Sequence, residues 1–268
     1  MLENIRYENH LGETIRFDGT ENIIAAHSDL RDWSLFFDGD KFTFDETVEK
    51  SVPLKIFGTA DKVKVTRNRL FEIVNADTTA GEYGRLWFDD YYMLCYIAES
   101  KKSRYMADYG TITVKIWTDS PYWIKETTLE FRKTGVIESG LKYNRKYNYQ
   151  YTDYSFNQTV TNEALSSAPF RLTVYGAASN PDIAIGNQHY QVNTSILANQ
   201  YLTLTAIDKD KTVILTDQYG GKTNLFNSRN KNYDVFAPIP NGTFAVTWDG
   251  TFDFDLTVLD RRSEPPWT

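Results

Sequence analysis

Alternation of apolar and polar residues, repeated along most of the chain, is the feature that most constrains the fold. Residues 111–116, TITVKI, are typical, because every second residue is a β-branched aliphatic one. A period of two places those side chains on one face of a β-strand. The 18 Tyr, 16 Phe and 6 Trp also favour pleated, half-buried surfaces. The pattern therefore predicts a mainly β protein.

One segment has the period of a helix instead. Across residues 60–76, apolar or small residues recur on one face from Val63 to Val74, while charged residues lie off that face. Thr59 or Asp61 can cap the first turn. We expect one amphipathic helix, packed on a sheet.

Two hairpins can be given a register from their apolar faces. A three-residue loop at 89–91 would pair Phe88 with Tyr92. In the last hairpin, a three-residue loop at 249–251 would keep the apolar residues of both strands on one face. A two-residue Asp-Gly turn would separate them, so the sequence favours the longer loop.

The texture of the sequence changes near residue 133. Residues 133–150 have few aliphatic side chains but several cations and two glycines. We place a domain boundary here, which predicts an N-terminal domain over 1–133 and a C-terminal domain over 134–268. Each is long enough to bury a core of its own.

Composition excludes several classes of partner. With 29 Lys and Arg against 36 Asp and Glu, the net charge is 29 − 36 = −7, which predicts no nucleic-acid binding. No apolar run approaches the length of about 18 residues that a membrane span needs. The N-terminus lacks a signal-peptide pattern, so we expect synthesis in a cytoplasm. Cys95, in an apolar run, is predicted to be a buried hydrophobic residue.

No motif of a known catalytic or cofactor site is present. The GxSxG, P-loop and GxGxxG patterns are missing from the sequence. His10, His27 and His189 lack the spacing of zinc ligands, and a single cysteine cannot complete such a site. We therefore predict no enzymatic activity, no cofactor and no metal site.

Two patterns of acidic residues leave catalysis or calcium binding open as alternatives. Asp253 and Asp255 alternate on one strand, and the paired carboxyls of a glycosidase lie about 5–10 Å apart. Residues 38–46 and 208–212 carry closely spaced acids, which calcium prefers, but neither segment has the EF-hand spacing. Solvated acids on strands and in turns are the commoner explanation for both patterns.

A dense group of tyrosines follows the domain boundary. Exposed aromatic rings on a β-sandwich can stack on sugars, so the group is a candidate glycan platform. Strand-face packing or a subunit contact is the favoured interpretation. The group comprises Tyr147, Tyr149, Tyr151 and Tyr154.

Three motifs, in this order, resemble those of one protein family. They are D-x-P-Y-W at 119–123, Y-G-x-x-x-N-P at 175–181 and R-R-S-E-P-x-W at 261–267. With the strand-like segments between them, the chain resembles the distal tail proteins of long-tailed phages that infect Gram-positive bacteria. The resemblance covers most of the chain, although residues 20–50 have no counterpart.

The resemblance implies a fold and an assembly. Domain 1–133 is expected to be a β-sheet or split-barrel-like unit with one helix, six copies of which close into a ring. Domain 134–268 is expected to be a galectin-like or carbohydrate-binding-module-like β-sandwich. The implied partners are the tail tube protein, the tape-measure protein and a tail fibre, lysin or receptor-binding protein. The implied location is the tail tip of the virion, after assembly in the host cytoplasm.

A second interpretation comes from a different class of function. The C-terminal sandwich could recognise a bacterial surface glycan, which would make the chain a carbohydrate-binding protein. A glycoside hydrolase is a more distant third interpretation.

The last motif is predicted to dock rather than to catalyse. The proline pair at 265–266 stops sheet pairing, and Trp267 is large enough to anchor the chain against a surface. Arg261, Arg262 and Glu264 are expected to form ion pairs at that docking point.

Overall fold

The fold is known from a computed structural model. It describes residues 4–26, 30–33, 35–38, 41–44, 47–133, 158–164, 166–207 and 210–265. The chain divides into two compact units. Unit 1 comprises Met1–Lys125 together with Arg261–Thr268, and unit 2 comprises Glu126–Asp260. No helix in the described ranges is both long and apolar enough to cross a membrane.

Unit 1 is built from antiparallel strands and a helix. Its elements are β1 (Ile5–Glu8), β2 (Thr14–Arg16), β3 (Ile23–Ala25), β4 (Leu35–Asp38), β5 (Lys41–Phe44), β6 (Val48–Phe57), α1 (Ala60–Ala80), β7 (Gly84–Phe88), β8 (Tyr91–Tyr105) and β9 (Tyr109–Thr118). The next strand, β10 (Trp123–Phe131), begins in unit 1 and ends in unit 2.

The strands of unit 1 follow each other in an order that closes on itself. β2 pairs with β1, β1 with β7, β7 with β8, β8 with β9, β9 with β6, and β6 with β3. The amide of Ala25, at the end of β3, donates to the carbonyl of Phe17 at 2.8 Å. Phe17 directly follows β2, so this hydrogen bond joins the last strand of the series to the first. The long β8 joins the two halves, because its first residues pair with β7 and the rest with β9. Unit 1 therefore has the predicted mainly β fold with one helix, and its strands follow a barrel-like order.

Helix α1 has a capping residue at each end. The Thr59 side chain accepts a hydrogen bond from the Lys62 amide, as predicted, and Gly81 ends the helix in the left-handed region with φ of 69°. The buried face carries Val63, Leu70 and Ile73, with Thr66 and Asp77. The predicted helix is confirmed, and it continues four residues beyond the predicted end.

A buried carboxylate ties α1 to the first hairpin. Asp77 is 1% exposed. Its Oδ2 accepts a hydrogen bond from the Tyr7 hydroxyl at 2.5 Å, and its Oδ1 accepts one from the His10 amide at 2.8 Å. The His10 ring nitrogen Nδ1 lies 2.6 Å from the same Oδ1. Burial raises the pKa of Tyr7 well above its usual value, which keeps this hydroxyl a donor.

Unit 2 is also built from antiparallel strands. They are β11 (Thr159–Asn162), β12 (Phe170–Tyr175), β13 (Ala178–Ser179), β14 (Asp182–Ile185), β15 (Gln188–Gln191), β16 (Ser195–Ile196), β17 (Tyr201–Ile207), β18 (Asp210–Thr216), β19 (Lys222–Asn224), β20 (Gly242–Thr247) and β21 (Phe254–Arg262). A 3-10 helix lies at Phe226–Ser228, and β21 ends in unit 1.

Two sheets face each other in unit 2 and form the predicted β-sandwich. The larger sheet has the order β19-β18-β17-β12-β21-β10, and the smaller has the order β11-β20-β14-β15. Phe170 of the larger sheet meets Tyr190 of the smaller one edge-on, with ring centroids 4.9 Å apart. Apolar residues of both sheets belong to one buried cluster, so each sheet supplies half of the core.

The predicted register of the hairpin around residue 90 is wrong by one residue. Phe88 pairs with Tyr91, not with Tyr92, and the turn has only two residues, Asp89 and Asp90. Asp89 has a φ of 50°, which tight hairpin turns require and which Asp tolerates better than most residues. The inward face of β8 therefore starts at Tyr91 and includes Cys95, whose predicted burial is confirmed.

The predicted last hairpin does not form. β20 pairs with β11 and β14, whereas β21 pairs with β12. The chain crosses from one sheet to the other between them, so their apolar stripes meet across the core. The Trp248 ring lies edge-on to Phe254 at 5.2 Å. Alternation had identified the inward faces but could not identify the partner strands.

Gly84 gives a direct test of the Asp77 site. A Cβ atom there would lie 2.2 Å from the Tyr7 hydroxyl oxygen and 2.4 Å from Asp77 Oδ2. We expect Gly84→Ala to lower the free energy of unfolding by about 2–4 kcal/mol, because it overpacks the site and breaks a buried hydrogen bond. Chemical denaturation would measure the change.

Gly12→Ala is the matched control. Gly12 has a φ of 83°, and a Cβ atom added there would meet no other atom within 4 Å, so only backbone strain of about 1 kcal/mol is expected. Equal losses for the two variants would contradict the role of the Asp77 site.

Candidate functional site

The chain returns to unit 1 at Arg261, and residues 261–265, here called the return segment, pack on that unit. The guanidinium carbon of Arg261 lies 5.5 Å from the ring centroid of Tyr122. That of Arg262 lies 5.4 Å from the ring centroid of Tyr91. These distances are within the range of cation–π contacts. Pro265 at the end of the segment is buried.

Arg31 connects the end of the return segment to the aromatic side chains of unit 1. Its Nη1 donates a hydrogen bond to the Pro265 carbonyl at 2.7 Å, and its guanidinium lies 4.3 Å from the ring centroid of Phe88. Phe88 in turn meets the fully buried Trp123 edge-on at 5.9 Å. The return segment therefore contacts a continuous stack of aromatic and cationic side chains.

The structure places the first two resemblance motifs in specific local roles. In the first, Trp123 is buried and Tyr122 contacts the return segment, so the first and last motifs meet. In the second, a Cβ on Gly176 would lie 1.9 Å from the Leu197 carbonyl oxygen, so a side chain there would need the backbone to move. Asn180 has a φ of 47°, a conformation that Asn adopts more readily than most residues.

The residues predicted to dock the last motif are only partly described. Arg261 and Arg262 make the aromatic contacts above, and Glu264 is half-buried. Trp267 lies outside the described residues, as do Tyr147, Tyr149, Tyr151 and Tyr154. The anchoring role of Trp267 and the glycan or subunit role of the tyrosines stay predictions.

Asp253 and Asp255 are engaged in structural contacts. Asp255 Oδ1 accepts from Arg132 Nη1 at 2.7 Å, and its Oδ2 accepts from the Tyr175 hydroxyl at 2.7 Å. Asp253 Oδ1 accepts from the Lys133 amide at 2.6 Å. Both carboxylates therefore accept hydrogen bonds from neighbouring residues of unit 2.

Two of the three histidines considered as metal ligands contact carboxyl groups. His10 binds Asp77, and Nδ1 of His189 lies 3.0 Å from Asp182 Oδ1. His27 and the side chains of 38–46 lie outside the described residues, and 208–212 is described only from 210. Within the described ranges, no three His, Cys, Asp or Glu side chains come together as a metal ion would require.

Unit 1 exposes several large apolar side chains. Phe71 and Val65 on the outer side of α1 are 68% and 65% exposed, and Met106 in the turn after β8 is 55% exposed. Exposed apolar patches on a folded protein are candidate contact surfaces. The sequence analysis did not predict the exposure of Phe71 and Val65, because it assigned only charged residues to the outer side of the helix.

Arg31 and Tyr91 were missed by the sequence analysis. Neither carries a local signal, because Arg31 lies in the stretch without a pattern and Tyr91 looked like a loop residue. Only the folded chain shows that both contact the return segment.

Neither a protein-family model nor a curated protein matches this sequence. Solved structures do match it. A chain of the phage P2 baseplate in its activated conformation with Ca is 10% identical, with a TM-score of 0.62, covering 99% of this chain and 100% of that chain. The same baseplate with Sr gives the same values. The Dit protein of phage SPP1, described as a paradigm of hub adsorption apparatus in Gram-positive infecting phages, is 9% identical, with a TM-score of 0.57 and coverage of 98% and 100%.

These similarities define the fold. The matches span both units and the whole of each neighbour, although about one residue in ten is identical. The fold of this chain is therefore similar to that of a phage P2 baseplate chain and of the SPP1 Dit protein.

Replacing Arg31 should loosen the return segment. We expect Arg31→Ala to speed hydrogen exchange at the amides of 261–265 by about tenfold or more, because a hydrogen bond from a charged donor contributes about 1.5–3 kcal/mol. Exchange measured by mass spectrometry would detect this. Arg16→Ala is the control, since Arg16 forms only a half-exposed ion pair with Asp18. Unchanged exchange in Arg31→Ala would refute the contact.

Asp255 should control the titration of Tyr175. Its hydrogen bond is the main cause that raises the pKa of Tyr175 to about 12. The resulting stabilisation is present below the unfolded pKa of about 10 and is lost as the pH rises towards 12. We expect Asp255→Asn to lower the pKa of Tyr175, measured as phenolate absorbance with Tyr175→Phe as the blank. Asp217→Asn should leave it unchanged, because Asp217 caps a different turn.

Proposed function

We propose that this protein is a structural component of a phage tail tip. Six copies form a ring through unit 1, and the ring joins the tail tube to the baseplate or to a tail fibre or lysin. The observation that carries this proposal is the fold match, which covers 99% of this chain and 100% of a phage baseplate chain. A match of that extent includes both units, so it does not rest on one common β-domain.

The chemistry of the described residues supports a structural role rather than catalysis. The acids that could have formed a glycosidase pair instead bind Arg132, Tyr175 and the Lys133 amide. The motifs of the resemblance likewise act in packing, since Trp123 is buried and Gly176 permits a close approach to Leu197. We propose that the protein has no enzymatic activity.

The surface of unit 1 supports assembly. A ring forms when one surface of a subunit binds a different surface of the next and the rotation closes. Such an interface needs exposed apolar residues that a monomer would leave in water, and Phe71, Val65 and Met106 are of this kind. We propose that unit 1 carries the subunit contacts.

The proposed partners follow from the proposed position in the tail. A ring at this position contacts the tail tube protein and the tape-measure protein on one side. On the other it contacts a fibre, lysin or receptor-binding protein. The proposed location is the virion.

Native mass spectrometry of the purified chain tests the ring. We expect a hexamer whose population rises with protein concentration. Phe71→Asp should shift the distribution towards monomer, because it places a charge where an apolar contact is proposed.

Leu197→Asp is the matched control. Leu197 is 64% exposed but lies in unit 2, so the same change there should leave the hexamer intact. A strict monomer at all concentrations would overturn the proposed ring. Loss of the hexamer in Leu197→Asp alone would move the contacts to unit 2.

A further inference from the structure

Unit 2 exposes two tyrosines side by side on the outward face of its larger sheet. Tyr175 of β12 pairs directly with Tyr201 of β17, and each is 38% exposed. Residues directly opposite in an antiparallel pair point to the same face, with Cβ atoms about 5 Å apart. Their neighbours on the inward face, Val174 and Leu202, are buried in the core. The two phenol rings therefore lie next to each other on the outside of the sandwich.

The ring of Tyr175 is held in place. Its hydroxyl donates to Asp255, which lies on the same face of the neighbouring strand β21. Because the hydroxyl is engaged there, the ring lies between β12 and β21 and is fixed at its outer end. An aromatic surface that is already fixed loses little conformational entropy when it binds a ligand.

A fixed group of charged side chains borders the rings. Arg132 binds Asp255 through Nη1 at 2.7 Å and Glu130 through Nη2 at 2.8 Å. Asp253 lies beside them, with its carboxylate on the Lys133 amide. Two carboxylates contact the guanidinium, and a third lies close by at Asp253, so beside Tyr175 the acids outnumber the bases Arg132 and Lys133. Such a border disfavours phosphate-bearing and uronate-bearing ligands.

We propose that this surface, the tyrosine platform formed by Tyr175, Tyr201, Arg132, Asp255 and Glu130, binds a neutral hexose-based glycan. A pyranose ring has an apolar face of C–H groups that stacks on an aromatic ring, and hydroxyls around its edge. Glu130 and Arg132 are 67% and 47% exposed at the side chain, so they present oxygens and N–H groups to those hydroxyls. Both features of the ligand thus meet a matching feature of the platform.

This activity is separate from the proposed ring. The platform lies within unit 2, and every residue of it comes from that unit. Glycan binding and hexamer formation can therefore fail independently, and a different measurement reports each.

Isothermal titration of the full chain with defined glycans tests the proposal. The neutral probes are oligomers of glucose, galactose and N-acetylglucosamine, and the anionic probes are polygalacturonate and poly(glycerol phosphate). We expect at least one neutral probe to bind and both anionic probes to fail. Tyr201→Ala should weaken that binding by about tenfold or more, because it removes a ring on which the sugar stacks, and aromatic anchors are among the residues whose truncation most reduces affinity.

The chain offers a matched control. Tyr219, in the turn between β18 and β19, is 88% exposed and lies off the platform, so Tyr219→Ala should bind as the parent does. Tyr201→Phe should also bind, because it keeps the ring. Thermal unfolding of each variant shows whether the sandwich is intact.

Three outcomes would overturn the proposal. They are no binding of any neutral probe, binding of the anionic probes alone, or equal weakening in Tyr201→Ala and Tyr219→Ala. Loss of a protein–protein contact in Tyr201→Ala, with no glycan binding, would assign the platform to a tail protein instead.

Discussion

Unit 1 is made from two stretches of chain that are separated by the whole of unit 2, and this constraint explains much of the structure. The chain leaves unit 1 along β10 and comes back along β21, its neighbour in one sheet. The hydroxyls of Thr128 and Thr257 lie 2.9 Å apart across these strands. Within unit 1, the last stretch of chain then contacts Tyr122 through Arg261 and Arg31 through Pro265.

Side-chain carboxyl groups in both units contribute to packing, because several hydrogen bonds hold each of them in place. Asp77 is buried at the end of a helix, where the macrodipole disfavours a negative charge. It is kept by the hydroxyl of Tyr7 and the amide and ring of His10. Removing one partner of such a group costs more than the bond itself contributes, because a desolvated charge is left behind. The same carboxylate also leaves room only for glycine at position 84.

The sequence predicted local features well and long-range ones poorly, for a physical reason. Period and caps are properties of neighbouring residues, so α1 and the inward face of β9 were predicted correctly. The partner of a strand depends on residues far away in the sequence. The prediction that β20 and β21 form a hairpin was therefore wrong, because they pair with β11 and β12 in different sheets. The two-residue turn at Asp89 requires a positive φ angle at this residue, which the sequence alone does not reveal. The contacts of the return segment were likewise predictable only in part. Tyr122 belongs to a sequence motif, whereas no sequence pattern marks Arg31.

The return segment has a consequence for the order in which the protein is made. Residues 126–260 are synthesised before Arg261, so unit 1 cannot make its contacts with residues 261–265 until unit 2 has been synthesised. Arg31 is separated from Pro265 by 234 residues of sequence, so their hydrogen bond forms only after all of unit 2 has been synthesised. Vectorial synthesis thus makes the N-terminal unit the last to be completed.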